Sequence, residues 1–301
     1  ASVALVTTTT HALIDDNASV TALGNGTAVD YVTGYAPSLG SGPGDYAAPT
    51  PTDYAYATTG ADGEVLSADD AQRQGLRLLA LTRSATPITA SGYGVVVNAS
   101  GDTSVRSLAI GAGVSGTAGI SISANVPVID TDIAASIGAN TKINVDNDTS
   151  PNANQSVIVA AAGDVYRAGL SGSVGGGTVG IGGGLETAIL SPTITASIGN
   201  SSTVNAKRDV IVSASGHEDI VGAAAAAGAG AAVGVSGGVT AFALNSHTHA
   251  GIGNGATVTA GGNVVVAADD VTRTGMVVGS LAIGATGGGV GGSLGLSLLT
   301  K

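Results

Sequence analysis

The chain has 301 residues, of which 49 are glycine and 10% are charged, with one phenylalanine and no cysteine or tryptophan. This apolar composition is the opposite of a disordered segment, and a core with so few aromatic rings must be thin, because aromatic side chains bury the largest areas. The formal net charge of −11 argues against nucleic acid, which binds basic surfaces, and against anionic membrane surfaces.

Two uncharged runs are long enough to be mistaken for membrane helices. They cover residues 220–244 and 275–300, and each exceeds the length that marks a candidate spanning helix. Both are rich in glycine, with valine and threonine interspersed, and both recur at one phase of an internal repeat. We therefore predict that they form buried β-strands.

The repeat is visible from three sets of equivalent positions. The first set is an isoleucine that opens each unit, at Ile14, Ile137, Ile198 and Ile252. The second is a β-branched residue six positions later, at Val20, Ile143, Val204 and Val258. The third is the first residue of an apolar triplet, at Val95, Val157, Val210 and Val264.

The spacing of these sets shows a unit of about 54 residues that accepts extra sequence at a single point. One unit carries an insertion at residues 23–91 and another carries a short insertion at residues 146–153, whereas the remaining units carry none. Surface turns on a rigid scaffold tolerate additions in this way. The second half of each unit keeps its length.

Short β-branched runs separated by Gly, Asn, Asp and Ser are typical of strands joined by turns. We therefore predict an all-β fold, a right-handed parallel β-solenoid with one large insertion. In this prediction the whole chain, residues 1–301, is a slice of a longer array. Two coils per unit, with strands about 4.8 Å apart, would make a rod of roughly 40–50 Å.

Two motifs resemble binding sites, and we interpret both as scaffold. Gly251, Gly253 and Gly255 suggest a phosphate loop, but such a loop needs several glycines directly before a helix. Here a strand follows, so we predict a turn in which Gly, Asn and Asp supply left-handed backbone angles. His247 and His249 share one strand face, but no third metal ligand stands at a useful spacing, and we predict an outward-facing, solvated pair.

The acidic residues offer no catalytic pair that we can name. We expect them mostly in turns, with the strands almost uncharged, and we expect His217 in a polar surface turn. Asp146 and Asp148 lie in the short insertion, whose oxygen-rich residues suggest either a loose calcium loop or a solvated turn. We favour the turn, and we predict no catalytic, metal or cofactor-binding residue.

The large insertion is rich in tyrosine and proline. Its tyrosines are Tyr31, Tyr35, Tyr46, Tyr54 and Tyr56. These rings either pack on an apolar face of the rod, as part of a lateral flap, or form a recognition surface, since tyrosine is a favoured contact residue. The sequence leaves both alternatives open.

The segments "THAGIGNGATVTAGGNVVVAAD" and "TASIGNSSTVNAKRDVIVSAS" resemble the repeat regions of large bacterial exoproteins. These are the filamentous-haemagglutinin-like and leukotoxin-like adhesins of the two-partner and autotransporter secretion routes. The resemblance covers almost all of the chain outside the large insertion, and it implies no catalytic residues.

What the resemblance implies is an extracellular or cell-surface fibre with adhesive or scaffolding duty. Its expected partners are an outer-membrane secretion pore during export and then host-cell, polysaccharide or sister-fibre surfaces, with lateral self-association and no small-molecule cofactor. The alternative function is a polysaccharide-cleaving β-helix enzyme, a lyase or hydrolase, with its site beneath the insertion.

Overall fold

The computed structural model describes residues 1–39, 83–145 and 150–301, and the regular structure in these ranges is all β-strand. In the described residues, a large sheet contains β1 (Ser2–Ile14), β3 (Val29–Leu39), β4 (Arg83–Val114), β5 (Ala118–Ile137), β7 (Gln155–Ile198), β9 (Val210–Asn245), β10 (His247–Ile252), β12 (Val264–Gly284) and β13 (Gly289–Thr300). A small sheet contains β2 (Ser19–Val20), β6 (Lys142–Ile143), β8 (Thr203–Ala206) and β11 (Thr257–Ala260). The all-β prediction is confirmed.

Equivalent positions of the repeat are hydrogen-bonded neighbours on parallel strands. The isoleucines form one row, in the order Ile14, Ile137, Ile198 and Ile252. The β-branched residues form a row in the small sheet, and it consists of Val20, Ile143, Val204 and Val258. The triplets form a third row, which begins with Val95, Val157, Val210 and Val264. The alignment of units read from the sequence is therefore the hydrogen-bonding register of the fold.

Each unit occupies one layer of the stack. Asn254 and Asn263 donate backbone hydrogen bonds to the side chains of Asn200 and Asp209, and both pairs are 54 residues apart. Two coils per unit would put such residues two layers apart, beyond hydrogen-bond reach. The prediction of two coils and of a rod of about 40–50 Å is therefore wrong, because four to five strands at ~4.8 Å give a stack only about 20 Å thick.

The long strands fold back at a tip. A Cβ on Gly175 would lie 2.0 Å from the carbonyl oxygen of Ile181, and one on Gly230 would lie 1.9 Å from that of Val233. The strand residues before the tip and those after it therefore face each other, and we call them the outward limb and the return limb. The outward limb consists of β4, β12, residues 155–176 of β7 and residues 210–230 of β9. The return limb consists of β1, β5, β10, β13, residues 179–198 of β7 and residues 233–245 of β9.

The core between the limbs thins toward the tip. Far from the tip it is aliphatic, with Val157 and Ile194 fully buried. Nearer the tip Leu190 and Phe242 fill the space. Near the tip many of the inward-facing residues are glycine. A Cβ on Gly182 would lie 2.2 Å from the carbonyl oxygen of Ala227 on the opposite limb. The small side chains noted in the composition thus allow the two backbones to approach each other closely.

The described part of the insertion covers the outer face of the outward limb. β3 pairs antiparallel with the first residues of β4. Tyr31 packs on Ile158 of β7. The Asn98 side chain accepts a hydrogen bond from the Val32 N–H at 2.9 Å and donates one to the Val32 carbonyl at 3.0 Å. The amide thereby ties β3 to the sheet beneath it.

Both uncharged runs form strands, as predicted, but only one of them is buried. Residues 220–244 lie in β9 and alternate between inward and outward positions. Residues 275–284 lie in β12 and residues 289–300 in β13, and β13 is exposed along its whole length. The prediction of burial is wrong for this second run, because β13 has β9 as its only neighbour in the described sheet.

Candidate functional site

A polar cluster is buried beneath the described part of the insertion. Two N–H groups of Arg83 contact the Asp164 carboxylate at 2.5 and 2.6 Å, and a third donates to Asp219 at 2.8 Å. His217 Nδ1 lies 2.8 Å from Asp164 Oδ1. The side chains of Arg83 and Asp164 are 2% and 0% exposed. We call these four residues the Arg83 cluster.

Strand register brings the cluster together. Asp164 of β7 stands beside His217 of β9, and Tyr166 stands beside Asp219 two residues further on. Residues two apart on a strand share a face, so both pairs point to the outer side of the outward limb. Arg83, at the start of β4, reaches them from the insertion, and its guanidinium lies 5.0 Å from the centroid of the Tyr166 ring. This is cation–π distance.

Burial and ion pairing act in opposite directions on the carboxylates. Burial alone would raise the pKa of Asp164, but hydrogen bonds from Arg83 and His217 outweigh it and hold that pKa below its usual value. Asp102 is the neighbour of Asp164 in the next layer. Burial, followed by the charge of Asp164, raises the pKa of Asp102. Neighbouring carboxylates with pKa values moved apart are typical of acid/base pairs in enzymes.

The cluster as it stands is a clamp between the insertion and the limb. The Arg83 guanidinium donates its hydrogen bonds to Asp164 and Asp219. His217 lies between Asp164 and Arg273, and Arg273 Nη1 is 3.1 Å from His217 Nε2. Ion pairs that are this well buried are costly to break on one side only, since the remaining charge is left uncompensated. The cluster therefore holds the insertion in place.

Two further carboxyl groups lie between the limbs. Glu186 contacts Arg167 and accepts a hydrogen bond from the Asn125 amide at 2.8 Å. Both members of the ion pair are fully buried, and burial raises the pKa of Glu186 to about 7. The ion pair fits because residue 169 is glycine: a Cβ there would lie 2.0 Å from Arg167 Nη1 and 2.0 Å from Glu186 Oε1.

Glu218 is the second interior group. Its carboxyl accepts hydrogen bonds from Thr272 at 2.7 Å and from Ser246 at 3.0 Å. Burial is the main cause that raises the pKa of Glu218 to about 7, and the nearby charge of Asp270 adds to it. Such groups stabilise the fold while protonated and weaken it once ionised.

Some sequence predictions fail at these residues. His217 is buried in β9 and not in a surface turn. Acidic residues were expected mostly in turns, yet Asp102, Asp164, Glu186 and Glu218 all lie in strands. The reason is that their partners come from other units or from the insertion, so burial becomes tolerable only after folding.

The turn prediction is confirmed. Asn17, Asn140, Ser201 and Gly255 occupy equivalent turn positions, and each has a positive φ between 55° and 70°. The middle glycine of the motif has a different cause. A Cβ on Gly253 would lie 2.6 Å from the backbone nitrogen of Asn200 in the adjacent layer. Close stacking of the turns therefore requires glycine at this position. His247 and His249 are exposed on one strand face, as predicted.

The predicted recognition tyrosines lie in two regions. Tyr31 is buried, and Tyr35 is half-buried and hydrogen-bonded to Ser100. The other three lie outside the described residues, and they are Tyr46, Tyr54 and Tyr56. The recognition role stays a prediction, while Tyr31 packs within the molecule as a flap residue would.

The calcium alternative also falls outside the described residues, since Asp146 and Asp148 are not among them. In the described ranges, no group of three or more His, Asp or Glu side chains is arranged to hold a metal ion.

The sequence contained a usable signal for the Arg83 cluster. Asp102, Asp164 and His217 stand seven positions after the first residues of three triplets, and the register places them in one row. A column of titratable residues on strands that carry few charges indicates a polar site. Arg83 carried no such signal, because it belongs to the insertion.

The described residues include no helix of the length and hydropathy needed to cross a membrane. No family model, curated protein or solved structure matches the chain.

Proposed function

We propose that the chain winds as a right-handed parallel β-solenoid and serves as a structural and adhesive segment of a secreted bacterial surface fibre. The observation that carries the proposal is the unbroken parallel register of the repeat rows across four units. Parallel strands that stack in this way satisfy one another's backbone hydrogen bonds, as in repeat proteins whose units contact only their neighbours. Further units stacked in the same register would lengthen this element into a stalk.

Adhesion in this proposal is multivalent. Many outward positions near the repeat isoleucines are polar, for example Thr9, Asp132, Thr193 and His247 in one row. Each such row offers weak polar contacts, and many weak contacts on one body add up through effective concentration. The proposed partners are host-cell, polysaccharide or sister-fibre surfaces, reached after export through an outer-membrane pore. No cofactor takes part.

Bead adhesion tests the proposal. Beads coated with the whole chain are compared with beads coated with a variant in which a short Gly/Ser linker replaces residues 40–82, so that the Arg83 cluster is kept. If the stacked rows bind, both bead types adhere equally to epithelial cells and to polysaccharide-coated plates. Adhesion lost with residues 40–82 moves recognition to the insertion, and no adhesion by either bead overturns the adhesive role.

A polysaccharide-cleaving enzyme is the second candidate. The observation in its favour is the pair Asp102 and Asp164 beneath the insertion, with opposite pKa shifts and with Arg83 adjacent. If the cluster is catalytic, pectin, alginate or hyaluronan should release oligosaccharides with the wild-type chain and not with Asp102→Asn. Silence on all three substrates rejects this candidate.

A further inference from the structure

The outer side of the return limb presents a continuous apolar surface. We define the return face as the outward residues of 118–128, 179–189, 233–243 and 290–298, together with Val3 and Leu5. Apart from Thr187, all of these side chains are Gly, Ala, Val, Ile or Leu. Leu5, Ile122 and Leu298 are 75%, 72% and 67% exposed. The described part of the insertion lies on the other limb and leaves this face open.

The return face is large enough for a stable contact. Eleven residues along each of three strands and nine along the fourth, at ~3.3 Å per residue and ~4.8 Å between strands, cover about 670 Å². The largest apolar patch on a typical monomer is roughly 300–600 Å². A specific protein–protein interface buries about 800 Å² on each partner. The face is therefore an unusual surface for an isolated chain, and it is close to the size of an interface.

We propose that the return face binds the return face of a second copy of this chain, across a two-fold axis and with the limbs antiparallel. Flat aliphatic sheet faces pack about 10 Å apart, and a two-fold contact uses the same patch on both partners. The proposal deepens the proposed function, on which it rests for the presence of sister chains side by side.

Charge decides the antiparallel arrangement. Asp130 and Asp132 flank the return face at the end remote from the tip, whereas the described tip residues 115–117 and 231–232 are uncharged. Antiparallel limbs separate the aspartates of the two copies by the length of the face, ~36 Å. That distance is several times the Debye length of about 8 Å at physiological salt. Parallel limbs would bring the aspartates together.

A lipid surface fits the return face less well. Anionic headgroups attract basic residues near an inserted apolar face. The described residues of the return face include no Lys or Arg, its flank is acidic, and the chain carries a net charge of −11. A second copy needs no cationic anchor, and salt that screens the mutual repulsion strengthens its binding.

Sedimentation equilibrium of the whole chain tests the contact. We expect a dimer whose dissociation constant falls as NaCl is raised from about 50 to 500 mM, since screening weakens the repulsion between like charges. Ile122→Lys combined with Ile189→Lys should raise that constant at least tenfold. Circular dichroism should stay unchanged, because both side chains are exposed. The matched control is Leu108→Lys with Ile110→Lys on the other limb, which should leave dimerisation unchanged.

The absence of cysteine allows the orientation to be read by cross-linking. Single-cysteine variants are treated with a bismaleimide of short span. Leu185→Cys, near the middle of the face, should cross-link to itself. Ile181→Cys near the tip should cross-link to Ile189→Cys in mixed samples and not to itself.

The outcomes separate this proposal from the proposed function. A monomer at all salt concentrations overturns the contact, as does flotation of the monomer with zwitterionic or anionic vesicles. If the control variant Leu108→Lys with Ile110→Lys weakens the dimer as much as the return-face variant does, the assignment to this face is overturned. Cross-linking of Ile181→Cys to itself overturns the antiparallel arrangement. Bead adhesion by a monomeric chain would leave the proposed function standing while this contact fails.

Discussion

At the scale of single residues, the buried charges are the most distinctive feature of this chain, because the strands carry few other charged side chains. Arg83 pairs with Asp164 and Asp219, and His217 contacts Asp164, across segments that are distant in sequence. An isolated buried charge is strongly unfavourable, so each partner depends on the others being present. The Arg83 cluster therefore couples the docking of the insertion to the stacking of two layers.

Asp164→Asn should lower the free energy of unfolding by about 3–5 kcal/mol, because it leaves Arg83 buried without its main partner. Urea denaturation followed by circular dichroism measures this. The matched control is Asp132→Asn, which breaks the exposed pair with His11, whose members are 50% and 47% exposed, and should cost no more than about 1 kcal/mol. Equal losses in the two variants would contradict a buried clamp.

Glu218 should make stability depend on pH. Its pKa is raised from 4.5 to about 7 in the folded chain, so the unfolded chain releases this proton first as the pH rises. The stabilising contribution is full below about pH 4.5 and is lost as the pH rises to about 7, by an amount on the order of 3 kcal/mol. Urea midpoints between pH 4.5 and 8 measure it.

Glu218→Gln is the control for this pH effect, since it has no proton to release and keeps the shape of the side chain. Its urea midpoint should fall less than that of the wild type over the same interval. A wild-type midpoint that rises with pH through this window would contradict the raised pKa of Glu218.

At the scale of elements, the tip half of the two limbs is held together by glycine. Backbone atoms of opposite limbs lie where a larger residue would place its Cβ, as at Gly182 and Gly228. The turns at the other end stack through Gly138, Gly199 and Gly253 for a similar reason. The high glycine content is thus a packing requirement at named positions.

Gly182 and Gly183 provide a matched pair for this packing. A Cβ at position 182 would lie 2.2 Å from the Ala227 carbonyl oxygen, whereas one at position 183 would meet its nearest atom at 3.4 Å. Gly182→Ala should therefore cost about 1–3 kcal/mol through overpacking. Gly183→Ala should be neutral or stabilise by up to about 1 kcal/mol. Thermal unfolding of both variants measures the two changes in stability. Equal changes would argue against the close approach of the two limbs at Gly182.

At the scale of the whole molecule, stability should grow with the number of layers. Stacked repeats contribute through their own folding and through contacts with their neighbours. Because one 54-residue unit forms one layer, a piece added within the strands must be a whole unit to keep the rows aligned. The insertions leave at one corner and do not disturb the register.

Duplication of residues 199–252 should give a folded chain whose stack is thicker by about 4.8 Å and whose melting temperature is at least that of the parent. Small-angle X-ray scattering and circular dichroism measure the two quantities. Duplication of residues 199–225 adds half a unit and displaces every later row, so it should lose cooperative unfolding. A well-folded half-unit variant would contradict the layer assignment.

The sequence by itself determined the strand content, the repeat alignment and the turns. Periodic β-branched residues and turn-forming Asn and Gly act locally. The constant six-residue step from each isoleucine to the next β-branched residue aligns Ile14, Ile137, Ile198 and Ile252 in one row. Only the tertiary structure decided that one unit makes one layer, that the limbs reverse at a glycine tip, and that Asp164 and His217 are buried beside Arg83. Those features depend on contacts between segments far apart in the chain, and local propensity carries no information about which distant partner will neutralise a buried charge.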